Sequence, residues 1–418
     1  MKKHYDVLVA GGGLAGVAAA IGAAREGKKV LLVEKYGCLG GAACHHLVNP
    51  FMKYWRLVNG EKEIIHAGVF ARMQKELRDK NAITENGMIF NEEYLKFVLD
   101  ELAREYGIAV LFHTSVIAAK AQDGRVERVT LSNKDGINEV QADMYIDATG
   151  DGDLAAQAGF AYEVGDEDGN CQPMTLCFNV GGVPYGDRHY VDVRKEVLDL
   201  YKDWQAQGKI KNPRENVLIF SSILPNTLHF NSTRIIKKSP LSAEDLTAAE
   251  FEGREQMFEL FNFLKNNFDL FKDSYLINSA PCIGVRESRR IVGEYMMTVE
   301  DILACRKFED GIARGNYPVD IHNPSGTGTI MRHLPQDEYY SIPLRALIPQ
   351  NAKNLLVAGR CISTTHEAQA SIRVMPITCC IGEGAGVAAA TALSMGTDVS
   401  QTDVSLIQQK LSKYGALY

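Results

Sequence analysis

The 418-residue chain is longer than one hydrophobic core organises, so its length predicts two domains. Its 46% apolar and 23% charged residues are typical of ordinary globular proteins. The net charge of −7 argues against nucleic acid as the main partner, because phosphate binding needs a basic surface. The nine cysteines include no CxxC pair and no metal-like cluster, so we expect reduced thiols, a cytoplasmic protein and no metal site.

The first forty residues carry the pattern of a dinucleotide-binding βαβ unit. An apolar run, Val7–Ala10, enters a Gly-x-Gly-x-x-Gly turn and an alanine-rich stretch, and a second apolar run, Val30–Val33, ends in an acidic residue. The glycines allow a tight turn, a close approach to a pyrophosphate and close helix packing, while the acid accepts bonds from a ribose. Because the turn interrupts the apolar run after Lys2 and Lys3, we expect neither a signal peptide nor a membrane span. The pattern assigns Gly11, Gly13, Leu14, Ala15, Gly16 and Glu34 to the cofactor.

The next segment predicts the remainder of a nucleotide-binding domain. A second Gly-rich stretch is expected to pass over the cofactor, and it contains Lys35, Gly40, Gly41 and Ala42. Helical spacing follows over 67–80 and after Asn91, and strand-like runs over 110–146 with a turn at Asp123-Gly124 predict a β meander. The Thr149-Gly150-Asp151 turn then returns to the cofactor; the following DGD spacing lacks the glutamate of a calcium loop.

The pattern changes between residues 165 and 342. Short strands alternate with two long helical stretches, one over 187–207 and one after a capping box at Thr247 and Glu250, with Phe251 and Phe258 on its apolar stripe. We expect residues 165–342 to form an inserted α+β substrate or cap domain. Residues 1–164 and 343–418 then form the two parts of the nucleotide-binding domain.

The last part of the chain predicts a return to the cofactor. The apolar run Leu355–Ala358 leads into a Gly359-Arg360 turn. Further on, Gly384-Ala385-Gly386 is expected to open an alanine-rich helix over 387–393. The N-terminal end of such a helix stabilises a ring that gains negative charge on reduction.

Together these stretches resemble the FAD-dependent oxidoreductases of the two-domain glutathione-reductase-like fold, in particular a bacterial group of mostly unassigned substrate. The resemblance spans the chain and rests on GGGLAG, EKYGCLGGAA, IDATGDGDLA, GVRESRRI and NLLVAGRCISTTHEAQASIRVMPITCCIGEGAG. It implies an α/β fold, with a Rossmann-like FAD-binding domain of parallel sheet and β meander. It also implies FAD contacts at Thr149, Gly150, Gly359, Arg360 and the Gly384-Ala385-Gly386 segment.

The sequence also departs from several families of that fold. It has no second dinucleotide fingerprint, and Cys38 and Cys44 do not have the CxxxxC spacing of the disulfide reductases. His45 and His46 lie near the position at which some related enzymes tether FAD, but the surrounding residues differ. We expect non-covalent FAD and no NAD(P)H site.

Three groups of side chains are candidates for the chemistry. Arg286, Arg289 and Arg290 with Glu287 are expected on a helix, where they either grip an anion or form an internal ion-pair network. His366 is either a general acid/base or a structural histidine, and Arg373 is expected to bind the substrate anion or the flavin. Adjacent Cys379 and Cys380 either react or serve as small packing groups.

The sequence therefore predicts an FAD-dependent oxidoreductase that transfers hydride or electrons between FAD and a small, anionic organic substrate. An electron-transfer subunit working with a partner protein is the alternative. A flavin-bound scaffold without turnover, or a factor in tRNA modification, is a third interpretation that the acidic net charge disfavours.

Overall fold

The computed structural model describes residues 3–418. Its strands are β1 (His4–Ala10), β2 (Val30–Val33), β3 (Trp55–Val58), β4 (Glu61–Ile64), β5 (Ala109–Leu111), β6 (Ser115–Gln122), β7 (Arg125–Asn133), β8 (Gly136–Asp147), β9 (Tyr162–Val164), β10 (Phe178–Gly181), β11 (Ile219–Ser221), β12 (Leu228–Phe230), β13 (Tyr275–Ser279), β14 (Arg289–Ile291), β15 (Gly311–Gly315), β16 (Val319–His322), β17 (Thr329–Arg332), β18 (Tyr340–Pro343) and β19 (Leu355–Val357). Its α-helices are α1 (Leu14–Arg25), α2 (Val69–Asp79), α3 (Glu92–Glu105), α4 (Asp153–Gln157), α5 (Tyr190–Ala206), α6 (Ala243–Asn267), α7 (Val299–Leu303), α8 (His366–Ile372), α9 (Met375–Met395) and α10 (Val404–Lys413).

A parallel sheet in the order β5-β2-β1-β8-β19 forms the centre of the molecule. Its inner strands are apolar runs, and all four residues of β2 are buried. Helices cover parallel sheets on both faces, which is why such strands read as continuous apolar runs rather than alternating ones. The carboxyl ends of β1, β2, β8 and β19 meet at one edge of this sheet, where ligands bind in folds of this kind.

The long strand β8 joins this sheet to a β meander. Its first half pairs antiparallel with β7, which pairs with β6, and its second half pairs parallel with β1 and β19. The turn between β6 and β7 lies at Asp123 and Gly124, which both have positive φ. These observations confirm the predicted α/β fold with its parallel sheet and meander.

A second hydrophobic core lies apart from the central sheet. It is built on the antiparallel sheet β11-β12-β10-β13 and on α5 and α6. Apart from Leu47, its buried residues lie between Met174 and Ile283, whereas Ile291 to Ile342 pack with the first core. The division at residues 165 and 342 stays a prediction, and the core of the inserted segment occupies only its first two thirds.

The start of α6 differs from the predicted one. Ser242 caps the helix by accepting from the backbone N–H of Asp245, and Thr247 lies inside the helix, where its hydroxyl donates to the carbonyl of Ala243. The prediction of a capping box at Thr247 was therefore wrong. Phe251 and Phe258 are more than half exposed, so they lie off the buried stripe of this helix.

Helix α9 begins well before the predicted start at Gly384. It runs from Met375, with a proline in its first turn, and 89% of its most apolar 18-residue window is buried. It is long and apolar enough to span a membrane, but it packs in the core against α1. A Cβ atom added at Gly382 or Gly386 would lie 2.0 Å from a carbonyl oxygen of α1, so these glycines allow two helices to approach closely.

Candidate active site

A cavity of about 280 Å³ lies at the carboxyl edge of the central sheet and is named here the dinucleotide cavity. The predicted cofactor positions that line it are Gly11, Gly13, Leu14, Ala15, Glu34, Lys35, Gly40, Gly41, Ala42, Thr149, Gly150, Asp151, Gly359 and Arg360. Segments separated by hundreds of residues therefore converge on one site. Gly16, Gly384, Ala385 and Gly386 do not line this cavity.

The first glycine turn has the geometry of a phosphate cradle. Gly11 has φ of +100°, and a Cβ atom there would lie 2.4 Å from the carbonyl oxygen of Ala148. A Cβ atom at Gly16 would lie 1.8 Å from the carbonyl oxygen of Gly11, so Gly16 serves packing and not the ligand. At Gly13 the nearest atom would be 3.8 Å away. Gly13 also begins α1 without a side-chain cap, so the first N–H groups of the helix remain for an anion.

Glu34 is held at the end of β2 by two backbone N–H groups. Its Oε2 accepts from Gly12 at 2.6 Å, and its Oε1 accepts from Tyr36 at 2.8 Å. The side chain is buried, yet it lines the dinucleotide cavity. A carboxylate fixed in this way beside a glycine turn fits the ribose of a dinucleotide. The residues present therefore fit an adenine dinucleotide.

The turn after β8 positions an ion pair at the edge of the dinucleotide cavity. Buried Asp147 accepts from the backbone and the hydroxyl of Thr149 and from the backbone of Ala155. Asp151 then accepts from Arg360 at 2.6 Å. Burial raises the pKa of Asp151, but Arg360 and neighbouring groups lower it more, so the net shift is downward. The pair holds Arg360 in place between the segments that follow β8 and β19.

The helix terminus at this cavity is the start of α9. Met375 and Thr378 line the cavity, and Val374 at the N-cap position offers no side-chain hydrogen bond. The prediction that Gly384, Ala385 and Gly386 open a helix at the cofactor was wrong, because these residues lie inside α9. Gly382 and Gly386 allow α9 to pack closely against α1. Their segment resembles a phosphate-binding turn only in its glycine content.

A second cavity of about 410 Å³ adjoins the first and is named here the arginine cavity. The two cavities share Ala42, His46, Val285, Arg360, Arg373 and Met375. Its own wall combines apolar side chains such as Leu218 and Phe220 with the guanidinium groups of Arg214 and Arg286. Its volume is in the range of small-molecule sites.

Arg214, Arg286 and Arg373 are bound mainly by neutral groups. The Nη1 of Arg286 donates to the carbonyl of Pro173 and to the hydroxyl of Thr175. Arg373 donates to the Oε1 of Gln172 at 2.7 Å and to the carbonyl of Asp320 at 3.1 Å. Arg214 Nε lies 3.3 Å from the Oδ1 of Asn216.

Their charges are unmatched by direct ion pairs. Among residues 3–418, no carboxylate lies within 4.0 Å of the guanidinium nitrogens of Arg214, Arg286 or Arg373. Burial lowers the pKa of Arg286 to about 9, and Arg214 and Arg373 act in the same direction. Burial likewise lowers the pKa of Arg214 to about 10. Buried cations without partners are costly, so the arrangement favours an anionic ligand.

One wall of the arginine cavity is the hairpin β16–β17. Burial raises the pKa of Asp320, but His322, Arg373 and Arg286 lower it more, so this carboxylate is ionised. Tyr317 donates to the Oδ2 of Asp320 at 3.1 Å. Burial lowers the pKa of His322 to about 3. The Nδ1 of His322 accepts from Arg234 at 3.1 Å, which leaves the ring proton on Nε2.

Two of the predicted catalytic residues lie outside both cavities. The Nδ1 of His366 is 2.9 Å from the Oε1 of Glu287, which also pairs with Arg290 at 2.5 Å. Arg289 pairs with Asp153 at 2.8 Å. The expected helix at 286–290 was wrong, because Arg286 lies in a loop and Arg289 begins strand β14, in which Arg289 and Arg290 point to opposite faces. Arg286 reaches the cavity, whereas Arg289, Arg290 and His366 belong to internal networks.

Several residues of the arginine cavity escaped the sequence analysis. Arg214, Tyr317, Asp320 and His322 carry no local motif and belong to segments that meet only in the folded chain. Cys379 and Cys380 are buried in α9 as free thiols. Among residues 3–418, no group of three His, Cys, Asp or Glu side chains has the geometry of a metal site.

Comparison with known proteins identifies the family. A family model described as FAD dependent oxidoreductase matches residues 6–411. The chain belongs to this family. It is therefore a member of an FAD-dependent enzyme family, and the dinucleotide cavity is the candidate FAD site.

Curated relatives match only part of this chain. A digeranylgeranylglycerophospholipid reductase of Methanospirillum hungatei is 31% identical over 36% of this chain and 39% of its own length. Digeranylgeranylglycerophospholipid reductase 2 of Methanothermobacter thermautotrophicus is 29% identical over 47% of this chain and 50% of its own length. The match therefore spans half or less of these relatives.

A solved structure shares the fold of the whole chain. The geranylgeranyl bacteriochlorophyll reductase-like protein of Thermoplasma acidophilum has a TM-score of 0.50 and 15% identity, and the alignment covers 98% of this chain and 83% of that one. The similarity extends through the inserted segment as well as the FAD-binding part. At this identity it describes the fold alone.

Proposed function

We propose that this FAD-dependent oxidoreductase transfers hydride or electrons between FAD and a small, anionic organic substrate held in the arginine cavity. The observation that carries the proposal is a group of three arginines without carboxylate partners, namely buried Arg214 and half-buried Arg286 and Arg373. The arginine cavity shares six lining residues with the FAD site, so a ligand there lies next to the cofactor. FAD, when bound, supplies hydride transfer at its flavin ring.

The side chains of this site have separate roles in the proposal. Arg286 and Arg214 bind the anionic group, and Arg373 binds or orients the substrate at the junction with the FAD site. His366 acts as a positioning residue, because it holds Glu287 beside Arg286 rather than facing a cavity. Arg289 has a structural role through its ion pair with Asp153.

A lipid substrate is the second candidate, since the names of the curated relatives are those of reductases of a digeranylgeranyl phospholipid. The apolar wall of the arginine cavity, which includes Val48, Pro50, Met52, Leu218 and Phe220, favours it. The volume of about 410 Å³ favours a small ligand over two long isoprenoid chains. We therefore place the small anion first.

Binding of organic anions to the holoenzyme tests the proposal. Carboxylates titrated anaerobically into the FAD-loaded protein are expected to shift the flavin absorbance. Arg286→Gln is expected to weaken this binding by roughly 10- to 100-fold, since a charged hydrogen bond contributes about 1.5–3 kcal/mol. Arg289→Gln, outside the cavity, is the matched control and should bind as the natural protein does. Equal affinities in all three proteins would contradict the proposal.

Reduction of the flavin through a co-purifying protein would favour the electron-transfer alternative.

We also propose non-covalent FAD, a cytoplasmic location, and neither a nucleic-acid nor a membrane partner. The first glycine turn can hold a dinucleotide without a covalent bond to a side chain. The net charge of −7 disfavours nucleic acid. Acid precipitation is expected to release all of the flavin into the supernatant. Yellow colour that stays with the precipitated chain would contradict non-covalent binding.

A further inference from the structure

The arginine cavity has an excess of positive charge. Its lining includes the guanidinium groups of four arginines and only two carboxylates, those of Glu215 and Asp320. The two histidines in the lining add no charge near neutrality, because burial lowers the pKa of His46 to about 4 and that of His322 to about 3. The lining therefore carries two positive charges more than negative ones.

Ion pairs behind the wall leave this excess unchanged. Glu215 in the lining pairs at 2.8 Å with Arg234, which lies behind it, and Arg360 pairs at 2.6 Å with Asp151, which lies on the FAD side. Each pair is neutral by itself. The remaining groups are Arg214, Arg286 and Arg373 against Asp320, so two charges are left for a ligand to balance.

The unmatched arginines form a row that extends from the arginine cavity to its junction with the FAD site. The pKa of Arg286 is lowered by burial and then by both Arg214 and Arg373. Arg214 and Arg286 line the arginine cavity alone, whereas Arg373 lines both cavities. Two separated anionic groups match such a row better than one compact anion does.

We propose that the substrate is a dicarboxylate. One carboxylate is held by Arg214 and Arg286, and the second by Arg373 at the junction with the FAD site. This inference rests on the proposed function and specifies its substrate class. The apolar side chains between these ends, such as Val285, then face the carbon chain that joins the two carboxylates.

Matched pairs of acids test the dicarboxylate assignment on the FAD-loaded enzyme. Succinate is compared with butyrate, glutarate with valerate, and inorganic phosphate serves as a compact anion, with flavin absorbance as the signal. The dicarboxylates are expected to bind about 10- to 100-fold tighter than the monocarboxylates of equal chain length, because the second carboxylate gains its own charged hydrogen bonds.

Variants at the two ends of the row make the test specific. In Arg373→Gln and in Arg214→Gln, the preference for succinate over butyrate is expected to fall at least about tenfold, whereas Arg289→Gln retains it. FAD content and thermal unfolding check that each variant is folded, and the acid pairs themselves need no variant. Butyrate or phosphate binding as tightly as succinate would overturn the dicarboxylate assignment while the proposed function stands. If no anion changes the flavin signal, both proposals fail.

Discussion

Among the three fingerprint glycines, Gly13 is the one that the fold itself does not require. The other two fingerprint glycines are required by the protein itself, since a Cβ atom at Gly11 or Gly16 would overlap a backbone carbonyl oxygen. At Gly13 an added Cβ would lie 3.8 Å from its nearest neighbour, at the wall of the dinucleotide cavity. A side chain there meets the ligand and not the protein.

Gly13→Ala is therefore expected to keep the fold and lose the cofactor. The methyl group takes the space in which the backbone approaches the pyrophosphate, so FAD affinity should fall by at least roughly 10-fold. Thermal unfolding of the FAD-free protein should be unchanged, because the residue has an ordinary φ of −65°. Titration of the apoprotein with FAD measures the first effect. Gly16→Ala is the contrasting variant, and a loss of folded protein in Gly13→Ala comparable to that in Gly16→Ala would contradict the distinction.

Residues near the fingerprint could be predicted from the sequence, and residues of the arginine cavity only in part. The roles of Glu34 and Gly13 could be predicted from local spacing, because the strand, turn and helix that place them are consecutive in the chain. Arg286 and Arg373 were predicted as anion-binding candidates, and both line the arginine cavity. Arg214 and Asp320 lie more than 100 residues apart within the inserted segment and carry no local motif, so only tertiary contacts reveal their role. His366 was predicted from its closeness in sequence to the Gly359-Arg360 turn, but it lines neither cavity, because such closeness does not fix the direction of a side chain.

At the scale of elements, the contact between α1 and α9 explains the glycines of the last Gly-rich segment. Gly382 and Gly386 lie one helical turn apart and face carbonyl oxygens of Ala15 and Ala19. The proline in the first turn of α9 marks the true start of this helix, and it is visible in the sequence. The glycines of the segment suggested a cofactor turn, yet they allow two helices to touch.

Substitutions along α9 test this packing. Gly386→Ala places a Cβ atom 2.0 Å from the backbone oxygen of Ala19, so the free energy of unfolding is expected to fall by about 3 kcal/mol. At Gly384 the closest atoms belong to the side chain of Ile312, with its terminal methyl at 2.6 Å and its Cβ at 3.1 Å. Gly384→Ala should lower the free energy of unfolding by only about 1–2 kcal/mol, because a side chain can shift more easily than a backbone carbonyl and the gain in helix propensity offsets part of the crowding. Thermal unfolding of the two variants compares them, and an equal loss of stability would contradict the distinction between backbone and side-chain crowding.

At the scale of the whole molecule, a buried carboxylate ties three helices together. Glu383 in α9 pairs with Arg25 of α1 at 2.8 Å and accepts from the backbone N–H of Val69, at the start of α2, at 2.8 Å. Burial raises the pKa of Glu383 to about 7, although Val69 and Arg25 oppose the shift. The folded protein therefore holds a proton at this site more tightly than the unfolded chain does.

Stability is expected to depend on pH through this group. Because the folded pKa is raised from 4.5 to about 7, the contribution of Glu383 falls as pH rises between these values, by up to about 1.4 kcal/mol per pH unit. Thermal unfolding of the natural protein and of Glu383→Gln at pH 5 and at pH 7.5 measures this. The variant should lose less stability over the interval than the natural protein, and an identical loss in the two proteins would contradict the assignment.

The overall architecture was easier to predict from the sequence than the boundaries of the inserted domain. The parallel sheet and the meander were predicted, since their strands are long apolar runs with clear turns. The predicted inserted domain extends to residue 342, whereas the buried residues of the second core end at Ile283. Strands β15 and β18 pair with each other and pack in the first core, and nothing in their composition tells which core they join.

The loop that carries Arg286 is held firmly on the side away from the cavity. Gln369 donates to the carbonyl of Arg286 at 2.8 Å, and Glu287 is fixed by Arg290, His366 and the backbone N–H of Gln172. The bonds that fix this loop are formed when the chain folds. A ligand therefore meets a guanidinium group already in place, and little of the conformational entropy lost on association comes from the protein.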